Sequence, residues 1–113
     1  MAKSEFTFLG NFNEILSAIE TGILNGSVSA SLEDQTNWNF ENVQCAVRVF
    51  ERYSMIGENR VSLSVTMVGQ GDKVHLSAIT SGGSQAIFFK INTLGEEAFL
   101  ECVNEIARGF NEV

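Results

Sequence analysis

The spacing of the apolar residues changes twice along this chain, and these changes constrain its fold more than any other feature. From Asn11 to Gly26 apolar side chains recur every three or four residues, which predicts an amphipathic helix capped by Asn11 and stopped at Gly26. From there to about residue 91 they mostly alternate with polar residues, as in half-buried strands. A helical spacing returns after Thr93, which forms a capping-box pattern with Glu96. There is no proline to interrupt these elements.

These patterns predict a single α+β domain over residues 1–113, with element order β-α-β-β-β-β-β-α. The predicted strands cover residues 4–10, 27–33, 43–54, 60–68, a segment containing Val74, Leu76 and Ala78, and 85–91. Residues 34–42, which include Trp38 and Phe40, are predicted to form a loop. Short turns between the later strands favour an antiparallel meander, and both helices are expected to cover one face of it, with a helix-grip layout as one variant.

Charge and hydropathy exclude several classes of partner. The chain has 14 acidic and 7 basic residues and a net charge of −7, which argues against binding to nucleic acid or to anionic membrane surfaces. No apolar run approaches the roughly 20 residues of a membrane-spanning helix. The first residues lack the apolar core of a signal peptide, so we expect a cytoplasmic protein with reduced thiols.

A resemblance supports this view of the compartment. The stretch CAVRVFERYS…NRVSLSVT…SAITSGGSQAIFFKINTLGEEAFL resembles a family of small, functionally uncharacterised bacterial proteins found mainly in Gram-positive genomes. The resemblance covers about residues 3–107. It implies a cytosolic bacterial protein, and it supplies no catalytic residues that can be transferred to this chain.

Residues that could perform catalysis are scarce. His75 is the only histidine, and it falls on the polar side of a predicted strand with no evident nucleophile beside it. Cys45 and Cys102 are far apart in sequence and both lie in apolar patterns, which is typical of structural cysteines. We therefore expect no enzyme activity, no metal site and no cofactor.

The most informative feature is an apolar surplus on the predicted sheet. If the helices cover one face, Arg48, Phe50 and Arg52 alternate along the other. We predict a binding patch on that face, made by Arg48, Phe50, Arg52, Ile79, Ile87 and Phe89. The 34–42 loop, a second copy or a ligand could cover the patch, and the arginines could instead pair with Glu33 across the sheet.

A weaker candidate is the loop around Ser81, Gly82, Gly83 and Ser84. Glycines and hydroxyls can hold an anion through backbone N–H groups, but a turn between two strands is the simpler interpretation.

Together these observations favour a small non-enzymatic interaction module. It would form a homodimer or bind a protein partner through the second sheet face. The alternative is a protein that binds a small apolar ligand in a pocket between the sheet and the C-terminal helix.

Overall fold

The computed structural model describes residues 1–54, 59–82 and 89–113. The strands are β1 (Ala2–Leu9), β2 (Ser31–Phe40), β3 (Val43–Ser54), β4 (Asn59–Gln70), β5 (Lys73–Gly82) and β6 (Asn111–Glu112), and the helices are α1 (Phe12–Asn25) and α2 (Phe89–Ala107). The strands form one sheet in the order β2-β3-β4-β5-β1-β6. Every pair in it is antiparallel. The predicted α+β class and the antiparallel meander are confirmed.

Helix α1 forms where the sequence predicts it. The Asn11 side chain accepts a hydrogen bond from the Glu14 backbone N–H, so it satisfies one of the free donors at the helix start. Ile15, Ile19 and Ile23 lie one turn apart on the same side and are buried. This apolar side therefore faces the sheet and α2.

Both helices cover the same face of the sheet, and two glycines allow their close packing. A Cβ atom added at Gly22 of α1 would overlap Cδ1 of Ile106 in α2. A Cβ atom added at Gly69 of β4 would lie 2.5 Å from the Phe12 ring. The lack of a side chain at these positions brings α1 against both α2 and the sheet.

The core lies between this inner face and the helices. It is built from aromatic and aliphatic residues of every layer, among them Phe8, Phe50, Leu63, Val65, Met67, Leu76, Phe99 and Val103. The strand register explains which strand residues enter the core, because side chains of directly paired residues point to the same face of a sheet. Phe50 pairs with Leu63, and Leu63 pairs with Thr80, so one row of inner residues runs across three strands.

The described elements follow the order β-α-β-β-β-β-α-β, so the predicted order is wrong at its end, where the short strand β6 follows α2. Three predicted elements also differ from the observed ones. Residues 31–40 form strand β2, so the prediction of a loop at 34–42 and of a strand at 27–33 is wrong for most of that stretch. Pairing with β3 over nine positions outweighs the weak strand preference of the Asn and Asp residues there. The predicted strand at 85–91 is wrong at 89–91, where α2 begins, and residues 85–88 lie outside the described residues. The capping box at Thr93 is also wrong, because Thr93 lies inside α2.

Candidate functional site

The predicted arginine–phenylalanine triplet lies on the inner face, beneath the helices. Phe50 has no exposed surface and Arg48 is only 5% exposed. Arg52 places its guanidinium 4.5 Å from the centre of the Phe99 ring of α2. The prediction that these three residues form an exposed patch is therefore wrong. The valines on the opposite side of β3 point outward instead.

Arg48 is held by charge and by backbone oxygens. Its Nε lies 2.6 Å from Oε1 of Glu20 in α1. Its Nη1 donates to the carbonyl oxygens of Thr36 and Val47, at 3.2 and 3.0 Å. The alternative in which the arginines pair with Glu33 is wrong for Arg48, which pairs with Glu20, because its side chain points toward α1 rather than across the outer surface. Arg48 therefore joins α1 to β3 and has a structural role.

The outer face of the sheet carries an apolar surface that the helices do not cover. Trp38 and Phe40 of β2 are 50% and 69% exposed. Their rings meet edge to face, with centroids 5.4 Å apart. We call the outward apolar residues of three neighbouring strands the outer stripe, and they are Trp38, Phe40, Val43, Cys45, Val47, Val49 and Val68.

Register makes the outer stripe continuous. Trp38 pairs with Cys45, and Cys45 pairs with Val68, so three outward residues stand in one row. Phe40 pairs with Val43 in the next row. A depression of about 150 Å³ lies beside the valine end of the outer stripe, where Asp34, Gln35 and Thr36 meet Val47 and Val49. The surface can therefore take both a flat apolar contact and one small side chain.

The other predicted patch residues fall in different places. Ile79 of β5 lies on the outer face and is 40% exposed, as predicted. Ile87 lies outside the described residues, and Phe89 begins α2. Of the three coverings considered for the patch, a 34–42 loop folded over it is not observed, because residues 34–40 belong to β2 and Trp38 and Phe40 are exposed. The exposure of Trp38 and Phe40 as side chains of a strand was not predicted from the sequence, although their spacing of two residues is typical of one face of a strand.

The first two residues of the weaker loop candidate lie in strand β5 rather than in a loop. Ser81 and Gly82 end β5, paired with Ser62 and Val61, and the next described element is helix α2 rather than a strand. The Gly82 N–H donates to a carboxylate oxygen of Glu96 at 3.1 Å. That N–H is therefore already bonded to an anionic group of the same chain. Gly83 and Ser84 lie outside the described residues.

His75 lies on the outer face, as predicted, in a cluster that bridges β1 and β5. Its Nδ1 lies 2.9 Å from the Thr7 hydroxyl, and its Nε2 lies 3.0 Å from Oε2 of Glu5. A ring that donates from Nε2 and accepts at Nδ1 satisfies both contacts. The hydrogen bond from His75 and the nearby Lys3 together lower the pKa of Glu5 below its usual value. The cluster stands on an open, flat surface, and a cross-strand structural role accounts for it.

We predict that His75→Ala raises the pKa of Glu5 toward that of a free glutamate, because it removes the largest cause of the lowering. Carboxyl-carbon NMR titration measures this directly. Thr7→Ala is the matched control and should change the Glu5 titration much less. The lowered pKa also means that the contribution of Glu5 to stability is present above its unfolded pKa, and it is lost as pH falls through the folded value. An unchanged Glu5 titration in the His75 variant would contradict the observed contact.

The thiols and acidic groups do not form a site in the described part of the chain. Cys45 points outward from β3, whereas the Cys102 sulfur lies 3.7 Å from Arg52 on the helix side, so the sheet separates the two thiols. Among the described residues no group of three His, Cys, Asp or Glu side chains could hold a metal ion. No helix in those same ranges is long and apolar enough to cross a membrane.

The fold and the outer stripe define a small α+β protein with one sheet face covered by two helices and an apolar band on the other. The chain belongs to a family of unknown function, DUF6054, which matches residues 1–111. No curated protein matches it significantly. Among solved structures, it is similar to TTHA0849 from Thermus thermophilus, with 8% sequence identity over 96% of this chain and 92% of that chain and a TM-score of 0.36.

Proposed function

We propose that this chain is a small, non-enzymatic protein interaction module of the bacterial cytoplasm, and that it binds a second copy or another protein through the outer stripe. The observation that carries the proposal is the exposure of Trp38 and Phe40 beside the outward apolar side chains of β3, which include Val43, Cys45 and Val47. Contiguous apolar surface of this kind is typical of interaction sites, and tryptophan is enriched at their centres. The two rings already pack against each other edge to face, and a side chain that is packed before binding loses less conformational entropy on binding than a free one.

The alternative, a small-molecule binder with a pocket between the sheet and α2, has less support. Among the described residues, the space between the sheet and α2 is filled by fully buried side chains such as Phe50, Phe99 and Val103. The depression at the start of α1, of about 290 Å³, is lined by polar groups such as Asn11, Gln44 and Asp72 and does not suit an apolar ligand. We therefore favour the protein interaction.

The proposal predicts that Trp38→Ser combined with Phe40→Ser weakens any association of the chain. Two large apolar contacts at the centre of an interface typically contribute about 2 kcal/mol or more each, so affinity should fall by about a thousandfold or more. Native mass spectrometry and sedimentation over a range of concentrations measure the fraction of the wild-type chain that is dimeric. The matched control is Asn37→Ser with Asn39→Ser, which changes the same exposed strand on its other side.

A photo-crosslinking residue at position 40 separates the two kinds of occupant in cells. We expect a covalent adduct whose mass is either twice that of the chain or that of the chain plus another protein. The same probe at position 13, exposed on α1, is the background control. A monomeric wild-type chain at all concentrations, together with no adduct above background from position 40, would falsify the proposal.

A further inference from the structure

Strand β2 is an edge strand of the sheet. One of its sides pairs with β3, and its other side has no partner strand within the described residues. Phe40 and Val43 pair across the two-residue turn Glu41–Asn42, and such a closing pair is hydrogen-bonded. Along an antiparallel ladder, hydrogen-bonded residue pairs alternate with non-hydrogen-bonded pairs. The backbone groups of residues 36, 38 and 40 therefore point toward β3, and those of 35, 37 and 39 point outward.

Two contacts agree with this assignment. The carbonyl oxygen of Thr36 accepts a hydrogen bond from Arg48 of β3, so it lies on the β3 side. The N–H of Gln35 donates to the carboxylate of the preceding Asp34 at 2.8 Å, not to β3. The N–H and carbonyl groups of Asn37 and Asn39 are therefore available to an added strand.

Other stretches of sheet edge are protected, and this one is not. The β1 edge carries Lys3 and Glu5, and β6 pairs with β1 at Phe8 and Leu9. The start of β2 has a bulge between Leu32 and Asp34. Charges, bulges and short covering strands are the usual means of blocking unwanted strand addition. Residues 35–40 have neutral side chains and a regular register, so only this part of the edge is open among the strands that the structure describes.

We propose that residues 35–40 of β2 accept an extended strand from another protein, one with lysine or arginine at both ends of an alternating apolar segment. This inference rests on the proposed function and names the partner of the same site. The added strand would hydrogen-bond to Asn37 and Asn39 and place alternate apolar side chains beside Trp38 and Phe40.

Charge decides between such a partner and a second copy. The segment 31–42 contains Glu33, Asp34 and Glu41 and no basic residue, so carboxylates stand at both ends of the open edge. If two copies pair their β2 edges antiparallel through residues 35, 37 and 39, Asn37 of one copy must face Asn37 of the other. Residue 35 of each copy then faces residue 39 of the other. That register brings Glu33 and Asp34 of each copy toward Glu41 of the other, in chains of net charge −7. Cationic ends on a different chain replace this repulsion by attraction.

The outer stripe adds a second reason for cationic residues. Arg and Lys side chains bind favourably over exposed indole rings, and Trp38 is half exposed beside the edge. A strand with valine or isoleucine at alternate positions would extend the apolar row that Trp38, Cys45 and Val68 already form. Both backbone and side-chain complementarity therefore point to the same type of segment.

The test is a titration of the full chain with the peptide acetyl-Arg-Lys-Thr-Val-Thr-Val-Thr-Val-Lys-Arg-amide. Trp38 is the only tryptophan, so its fluorescence reports on the site without a label. We expect saturable binding and slower hydrogen exchange at the amides of Asn37 and Asn39. Neutralising the three acidic residues (Glu33→Gln, Asp34→Asn and Glu41→Gln) should weaken binding by about tenfold, as expected for three exposed ion pairs.

Two controls separate strand addition from simple charge attraction. Asn37→Pro removes an outward N–H, and an edge strand tolerates proline there because no β3 hydrogen bond is lost, so binding should be abolished. Asn37→Thr keeps the N–H and should bind like the wild type. A peptide of equal charge with proline in place of the middle valine should not bind.

Three outcomes overturn the inference. Equal binding of the proline peptide shows attraction by charge alone. Concentration-dependent protection of Asn37 and Asn39 without peptide shows a second copy on the edge, which supports the proposed function while it removes the cationic partner. Absence of peptide binding contradicts the proposal that a cationic strand binds residues 35–40. The crosslink from position 40 then shows separately whether the outer stripe binds another partner.

Discussion

Phe50→Ala should lower the free energy of unfolding by about 3–5 kcal/mol, the largest effect we expect from a single substitution. The Phe50 ring has no exposed surface and lies at the centre of the core between the sheet and the helices. Truncation removes its apolar contacts and leaves a cavity that fixed neighbours such as Leu63 cannot fill. For a domain of this size, whose total stability is of order 5–15 kcal/mol, such a loss removes a large fraction of the free energy of unfolding.

The comparison with the adjacent residue makes this a test of the face assignment. Val49 points to the outer face and is only half-buried, so Val49→Ala should cost about 1 kcal/mol or less. Urea unfolding of the two variants, with equal dependence on denaturant, gives the difference. If Val49→Ala were the more destabilising change, the valine side of β3 would be the core side and the outer stripe would not exist as described. Because Phe50 is buried, it is also unsuitable for testing an interface.

The two faces of β3 show why the sequence predicts the fold class better than the site. Alternation identifies a strand, but both of its sides carry apolar residues, with Val47 and Val49 on one and Ala46 and Phe50 on the other. Nothing in the strand alone says which side meets the helices. The register with β4 decides it, since Phe50 pairs with Leu63 and Arg48 pairs with Val65. That register depends on long-range pairing, which the sequence pattern does not contain.

Strand β2 illustrates a second limit. Its Asp and Asn residues are typical of turns, and their polar side chains suppress the alternating pattern that predicts a strand. The strand forms because β3 offers a long ladder of backbone partners, and a tertiary effect of this kind outweighs local preference. By contrast, α1 combines a capping residue, a helical apolar spacing and a glycine stop, and it forms as predicted.

A second large effect is expected at the ion pair between α1 and β3. Glu20→Met should lower the free energy of unfolding by about 2–3 kcal/mol, because it leaves the Arg48 guanidinium buried with only backbone oxygens as partners. This value lies below the roughly 3–5 kcal/mol typical of fully buried pairs, because the Glu20 side chain is 32% exposed and partly screened by water.

The substitution of the other partner, Arg48, should lower the free energy of unfolding by less. Arg48→Met removes the charge from the buried position and fills most of the same volume, while Glu20 can turn toward solvent, so we expect a loss of about 1–2 kcal/mol. The double variant should be more stable than Glu20→Met alone, because no buried charge remains without its partner. Urea unfolding of the four proteins in a double-mutant cycle gives the coupling between the two side chains. Additive effects of the two substitutions would contradict a direct interaction, whereas strong coupling would establish Arg48 as a structural link between β3 and α1.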